Sequence, residues 1–165
     1  VMGTRCGDVD PGALEFLAKK ENLDFAQVLD ILNQESGVLG ISRNFSSDFR
    51  ELKDAEIKYN DQAALAREIF AYRVAKYVGS YAAAMNGVDN IVFTAGVGEN
   101  DSDIRMEICS YLEYLGITID EVKNRDEAEA FRISDGMSRV NVLVIKTNEE
   151  LEIAREAAEV ARMYH

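Results

Sequence analysis

Histidine, cysteine and long apolar runs are all scarce in this 165-residue sequence. The one histidine, His165, is the last residue. A frayed chain end is a poor place for a general base. No Ser-His-Asp set and no Cys/His metal cluster can be assembled. Two cysteines, Cys6 and Cys109, are too few for a disulfide framework. They read as reduced thiols of a cytoplasmic protein. No apolar run reaches the ~18 residues of a membrane-spanning helix, and no signal peptide is visible. Repeats, low-complexity tracts and linkers are missing too. Basic residues are outnumbered: 18 Lys and Arg face 30 Asp and Glu, a net charge of −12. Such a field repels nucleic acid and anionic membranes, so neither is expected as a partner. It still permits an anionic small ligand, because a local cluster of arginine and backbone N–H groups can hold phosphate inside an acidic protein.

The length suits one domain, able to bury about 70% of the surface its unfolded chain exposes. The apolar share, 47%, and the charged share, 29%, are those of a soluble globular protein. The opening, Val1-Met2-Gly3-Thr4-Arg5, reads as the middle of a longer chain.

Asp10-Pro11 predicts a helix entry, with Asp as cap and Pro at the first helical position, running to about Lys20. A second helix should start at Asp24, carry Phe25, Val28, Leu29, Ile31 and Leu32 on one face, and stop at Ser36-Gly37. Residues 38–59 look irregular, being punctuated by serine, asparagine and aspartate. The longest helix is expected from Asn60 to Asn86, closed by Gly87. Its second half is apolar nearly all round, which suits burial or an interface. Ile91–Thr94 reads as a buried strand, Ala95–Asn100 as a glycine loop, and Ser102–Leu115 as a helix stopped by Gly116. Short strands are expected at Ile117–Ile119, Phe131–Ser134 and Val140–Ile145, with a short helix within residues 120–129. Thr147, three residues before Glu150, suggests a capping box opening a last helix to about Met163. Strands alternating with helices point to an α/β layer arrangement.

Four constellations carry chemistry. The strand–glycine–helix unit Ile91–Leu115 brings close-approaching backbone to a helix start, where an anion is welcome. No Gly-Lys-Ser/Thr follows, so it is not a Walker A loop. Asp101 stands where the dinucleotide fingerprint needs its third glycine. An ordinary strand-to-helix turn would look the same. Arg5 lies between Gly3 and Gly7, and a guanidinium binds phosphate oxygens two at a time; a surface turn is the plainer alternative. Asp48 and Arg50 can bond a ribose or a base edge, or merely close a local turn. Glu149 and Glu150 follow a strand end, where α/β proteins bind ligands and where Mg²⁺ finds carboxylates; an acidic first helical turn would look the same.

In this order, Met2-Gly3-Thr4-Arg5-Cys6-Gly7-Asp8-Val9-Asp10-Pro11, Glu35-Ser36-Gly37-Val38-Leu39-Gly40, Ser47-Asp48-Phe49-Arg50, Val92-Phe93-Thr94-Ala95-Gly96-Val97-Gly98-Glu99-Asn100 and Thr147-Asn148-Glu149-Glu150-Leu151 resemble the C-terminal half of acetate kinases. Cys6 stands where that family commonly has Ser, and Ala95 where it commonly has Gly. The resemblance covers essentially the whole chain. It implies the α/β, ribonuclease-H-like fold of the superfamily of acetate and sugar kinases, Hsp70 and actin-like ATPases. Residues 1–165 would be the C-terminal nucleotide-binding domain, with the N-terminal half absent and the fragment inactive alone. The implied reaction is ATP-dependent phosphorylation of acetate to acetyl phosphate, and its reverse. Propionate kinase, or a non-catalytic nucleotide-binding or oligomerisation module, is the alternative.

Carried over by position, Arg5 matches the family's arginine at the transferring phosphoryl group. Asp48, Phe49 and Arg50 match a nucleotide-binding segment, and Gly96, Val97, Gly98, Glu99 and Asn100 the loop around adenosine and phosphates. Glu149 matches the glutamate linked to the Mg²⁺ cofactor, with Glu150 adjacent. The partners implied are ATP or ADP, acetate or acetyl phosphate, and a second copy, paired through the helix carrying Tyr72, Tyr77, Tyr81 and Met85.

Overall fold

A computed structural model describes residues 1–125 and 130–163. The end of the short helix expected within residues 120–129, and His165, lie outside them. The chain groups into two compact units, Val1–Gly87 with Glu107–Leu112, and Val88–Met106 with Glu113 onward.

The first unit is helical. Helix α1 (Pro11–Glu21) starts as expected: Asp10 Oδ1 accepts from Gly12 N, and Pro11 sits in the first turn. Helix α2 (Phe25–Gln34) has a capping box between Asp24 and Gln27. It ends at Gln34, and Gly37 instead opens a one-turn helix, α3 (Gly37–Ile41). Of the residues expected on one face, Val28 is buried, whereas Phe25 and Leu29 are exposed. Residues 38–59 are more ordered than their polar punctuation suggests. Asp48 caps helix α4 (Phe49–Ile57) by accepting from Arg50 N at 2.8 Å. Its residues Leu52 and Ala55 reach a core shared with Val38, Ala63 and Ala66. The last two belong to α5 (Asp61–Ala84), capped by Asn60, whose alanines let α3 and α4 pack close. Burial of Leu52 and Ala55 is therefore what orders the segment, and that contact lies beyond local sequence.

The second unit carries the sheet. Strand β1 (Asn90–Phe93) pairs parallel with β3 (Asn141–Ile145), in register Ile91 to Val142 and Phe93 to Val144. Strand β2 (Ala130–Arg132) pairs antiparallel on the other side of β3. The sheet order is β1-β3-β2. Ile91, Phe93, Val142 and Val144 are buried, which accounts for the apolar residues of both runs. Residues 117–119 contribute only a single bridge, Ile119 to Ser134.

Two further segments differ from expectation. The glycine block is a short helix, α6 (Ala95–Asn100), rather than a loop. The helix after it is interrupted: α7 (Ser102–Ser110) stops early, and a separate 3-10 turn follows at Glu113–Leu115. Asp101, where a dinucleotide fingerprint would have glycine, caps α7 by accepting from Ile104 N at 3.2 Å. Beyond α8 (Glu121–Asn124) and the sheet lies α9 (Glu149–Met163), none of whose residues is buried.

Candidate functional site

The residues singled out by their motifs assemble in two groups, one in each unit. In the second unit the parallel pairing of β1 and β3 ends both strands at the same edge of the sheet. Ligands of open α/β sheets bind outside the carboxyl ends of such strands. The chain leaving β1 forms α6, and the chain leaving β3 forms Thr147–Glu150. Ala95, Gly96, Thr147, Asn148, Glu149 and Glu150 together line a depression of about 340 Å³.

The turn from β1 into α6 is made at Ala95, whose φ is +59°. An L-residue in this left-handed region normally costs about 1–2 kcal/mol, which is why such positions favour glycine. Alanine in place of the commoner glycine is thus felt by the backbone. Gly96 is where a side chain would enter open space, since a Cβ there meets nothing within 4 Å. A Cβ on Gly98 would instead touch Phe93, at 3.4 Å from its carbonyl carbon. Gly98 therefore packs the turn against β1, and Gly96 forms part of the wall. Asn100 Nδ2 donates to Gly96 O at 2.8 Å, within the turn.

Glu99 spans the two segments. Its Oε1 accepts from Ala95 N at 2.6 Å, Thr147 N at 2.8 Å and Thr147 Oγ1 at 2.9 Å. These bonds, led by the Thr147 backbone N–H, hold its carboxyl below the usual glutamate range. The Thr147 hydroxyl is thereby committed, and the expected capping box with Glu150 does not form. Asn148 caps α9 instead, its Oδ1 accepting from Leu151 N at 3.1 Å. Glu149 and Glu150 occupy the exposed first turn of α9, favoured there by the helix dipole. Behind the turn, Arg105 is buried and donates to the carbonyls of Gly98 (2.9 Å) and Glu99 (2.8 Å) and to Asn124 Oδ1 (2.8 Å).

In the first unit the Arg5 loop lies against the start of α3. Val38 N donates to Met2 O (2.9 Å), Leu39 N to Gly3 O (3.0 Å) and Ser36 N to Thr4 O (2.9 Å). Met2 N closes the loop onto Arg5 O at 3.0 Å. Gly37 makes this approach possible: its φ is +62°, and a Cβ there would stand 2.3 Å from Met2 O. The Arg5 side chain is exposed and makes no hydrogen bond or ion pair among the described residues. Asp8, three residues on, accepts from Arg73 Nη2 and Tyr77 Oη. The Tyr77 bond, followed by the arginine, holds the Asp8 carboxyl below its usual range. Tyr77, expected at an interface, is thus tied to the Arg5 loop.

The Asp48 segment is a neighbour, since a Cβ on Gly3 would touch Ser47 O at 3.4 Å. Asp48 and Arg50 close on each other, Nη2 to Oδ2 at 2.6 Å and Nε to Oδ1 at 3.2 Å. This bond, with the Arg50 backbone N–H, holds the Asp48 carboxyl at a pKa of about 2. Phe49 turns inward, its ring edge-on to Phe70 at 4.5 Å and against the α4–α5 core.

This arrangement has close counterparts. The acetokinase family profile matches residues 1–155. The chain belongs to the acetokinase family. It is 54% identical to the acetate kinase of Lachnoclostridium phytofermentans over 160 residues, and 55% identical to that of Carboxydothermus hydrogenoformans. Both matches cover 97% of this chain and 40% of the relative, so the chain spans about two-fifths of the length of these kinases. Among solved structures, an acetate kinase from Porphyromonas gingivalis superposes with a TM-score of 0.88 at 46% identity, over 97% of this chain and 40% of that one. A propionate kinase from Francisella tularensis superposes at 0.85 and 42% identity, over 94% of this chain and 39% of its own. The acetokinase chain therefore has the mixed α/β fold of the actin-like ATPase superfamily, as its motifs implied.

Sequence reasoning gave Thr147 and Gly37 other roles, a helix cap and a helix stop, and did not single out Arg105. Gly37 lies inside the Glu35–Gly40 motif, and its glycine alone was a usable signal. The bonds from Thr147 to Glu99, 48 residues away, and from Arg105 to Asn124, 19 residues away, depend on the tertiary fold. Among the described residues, no helix is long and apolar enough to cross a membrane.

Proposed function

We propose that this acetokinase-family chain is the C-terminal, nucleotide-binding half of a cytoplasmic enzyme that transfers the γ-phosphoryl group of ATP to acetate. One observation carries this reading most directly. A depression opens at the carboxyl ends of two parallel strands, with open space over Gly96 and the carboxylates of Glu149 and Glu150 on its rim. Phosphates and the nucleotide would enter over Gly96, with Val97, Gly98, Glu99 and Asn100 shaping the wall.

In the forward direction an acetate oxygen attacks the γ-phosphorus in line. A new P–O bond forms, the bond from phosphorus to the β–γ bridging oxygen breaks, and ADP leaves with that oxygen's electron pair. Little covalent help is needed, so positioning and charge neutralisation dominate. Arg5 suits charge neutralisation, being a permanently charged guanidinium displayed on a loop pinned by backbone bonds to α3 and to Leu32, with no partner among the described residues. It would hold equatorial oxygens of the transferring group. Asp48 and Arg50 form one mutually bonded pair that would meet the nucleotide as a unit, while Phe49 supports them from the core.

The donor set on the rim fits Mg²⁺, which commonly takes one or two carboxylates and completes its shell with substrate phosphates and water. Glu149, or its neighbour Glu150, would hold it, and when bound it neutralises phosphate charge. Groups for the acetate itself would come from the remainder of a kinase of family length. The 165-residue chain alone should therefore bind nucleotide without turning it over.

Propionate is the second acceptor to test, given the likeness to a propionate kinase structure. Pairing of two copies would use α5, where Tyr81 and Met85 are each more than 60% exposed and Tyr72 stacks edge-on with Tyr111. A coupled ADP-release assay on the full-length protein, with acetate, propionate and butyrate in parallel, tests the function. ADP release dependent on acetate supports it; no carboxylate-dependent release refutes it. Sedimentation across a concentration series tests the pairing, and a monomer mass throughout refutes that part.

A further inference from the structure

The family resemblance implies Glu99 as a nucleotide contact, yet its carboxylate is already engaged. A single oxygen takes three donors, one from Ala95 and two from Thr147. Those donors belong to the two segments that wall the depression, one leaving β1 and the other leaving β3. Thr147 is 48 residues from Glu99 in sequence and two residues before Glu149.

Ala95 needs such a hold. Its left-handed φ persists only if the surroundings over-determine it. The Glu99 bond secures Ala95 N, at the start of the turn. Buried Arg105 takes the Gly98 and Glu99 carbonyls near the end and ties them to Asn124. The turn is gripped at both ends, and one of those grips reaches the opposite wall.

We propose that Glu99 is a positioning residue, a latch that sets the spacing between the Ala95–Gly96 wall and the Asn148–Glu150 wall and so governs ATP affinity without touching the nucleotide. The proposal rests on the depression being the ATP site. Its chemistry is specific. Loss of the carboxylate frees Ala95 to relax towards the ordinary helical region and frees Thr147 to move with the first turn of α9. Both walls of the depression then lose their fixed separation. A glutamine keeps an acceptor oxygen in the same place and should keep most of the latch.

The test uses the full-length protein with Glu99→Ala, Glu99→Gln, Thr147→Val, the Glu99→Ala/Thr147→Val double variant, and Gly96→Val as a probe of the site itself. Thermal midpoint, kcat, KM for ATP and the calorimetric Kd for ADP are measured for each. Glu99→Ala should raise the KM and Kd about tenfold, equivalent to about 1.4 kcal/mol, with kcat changed less than about threefold. Glu99→Gln should recover most of that loss. Thr147→Val should weaken binding about threefold alone and add nothing to Glu99→Ala, because both act through one joint. Normal affinity in Thr147→Val beside weakened Glu99→Ala would mean a direct nucleotide contact and overturn the latch. A lowered thermal midpoint with unchanged affinity in Glu99→Ala would mean a plain structural brace and overturn it too. Gly96→Val separates the two ideas. If it blocks ADP while Glu99→Ala binds normally, only the latch falls; if it leaves ADP binding untouched, the ATP site itself is misplaced.

Discussion

Replacing Gly37 by alanine should dislodge the Arg5 loop. The alanine Cβ would stand 2.3 Å from Met2 O, 2.8 Å from Gly3 O and 2.9 Å from Arg5 O, all backbone atoms that cannot rotate away. The loop must therefore retreat. Retreat breaks three bonds, from Val38 N, Leu39 N and Ser36 N, each contributing about 1 kcal/mol net. Holding alanine at a φ of +62° costs about 1–2 kcal/mol more. Alanine recovers about 0.4–1 kcal/mol through a stiffer unfolded chain. The net loss should be about 3–4.5 kcal/mol. Urea unfolding of the full-length protein measures it. With a slope of about 2 kcal/mol/M, the midpoint should fall by about 1.5–2.3 M. Gly96→Ala is the control, because a Cβ there meets nothing within 4 Å and its midpoint should hold. A loss below about 1 kcal/mol in Gly37→Ala would refute the claim that this glycine enables the loop's approach.

Three other outcomes follow from the same geometry. Arg5→Ala should lower kcat roughly 10²–10³-fold with a much smaller change in KM for ATP, because a fixed guanidinium binds the transition state better than the ground state; near-normal kcat with unaltered stability would reduce Arg5 to a surface turn residue. Arg5→Lys should recover only part, since an ammonium lacks the two-pronged geometry. Ala95→Gly should raise stability by about 0.5 kcal/mol, relief of the left-handed cost outweighing glycine's greater unfolded freedom, and a lowered urea midpoint would contradict it. Asp48 should titrate near pH 2 by NMR, and Arg50→Ala should move that midpoint up towards the ordinary 3.8. Because the folded pKa lies below the unfolded one, the stabilisation from this pair is complete above about pH 4 and disappears as pH falls through about 2. A midpoint unmoved by Arg50→Ala would show that the pair is broken in solution.

What the sequence determined by itself was local. Asp10 caps its helix as expected, and the helices expected to start at Asp24 and Asn60 start there with those residues as caps, because a cap acts on N–H groups two or three residues away. The runs Ile91–Phe93 and Val142–Ile145 are strands because their branched and aromatic side chains fit a half-buried sheet. The ordered set of motifs also pointed to the family by resemblance, in agreement with the acetokinase profile that matches residues 1–155. Tertiary structure decided the rest. Residues 49–57 become a helix because Leu52 and Ala55 meet the alanines of α5, a contact that polar punctuation conceals. Phe49 turns to the core, and Tyr77 is drawn to Asp8, 69 residues away. Glu99 engages Thr147 only because β1 and β3 lie parallel and side by side, so that both chains leave the sheet at one edge. Propensity and capping reach a single turn of chain, whereas the choice of partner for a buried or bridging side chain depends on which strands and helices become neighbours.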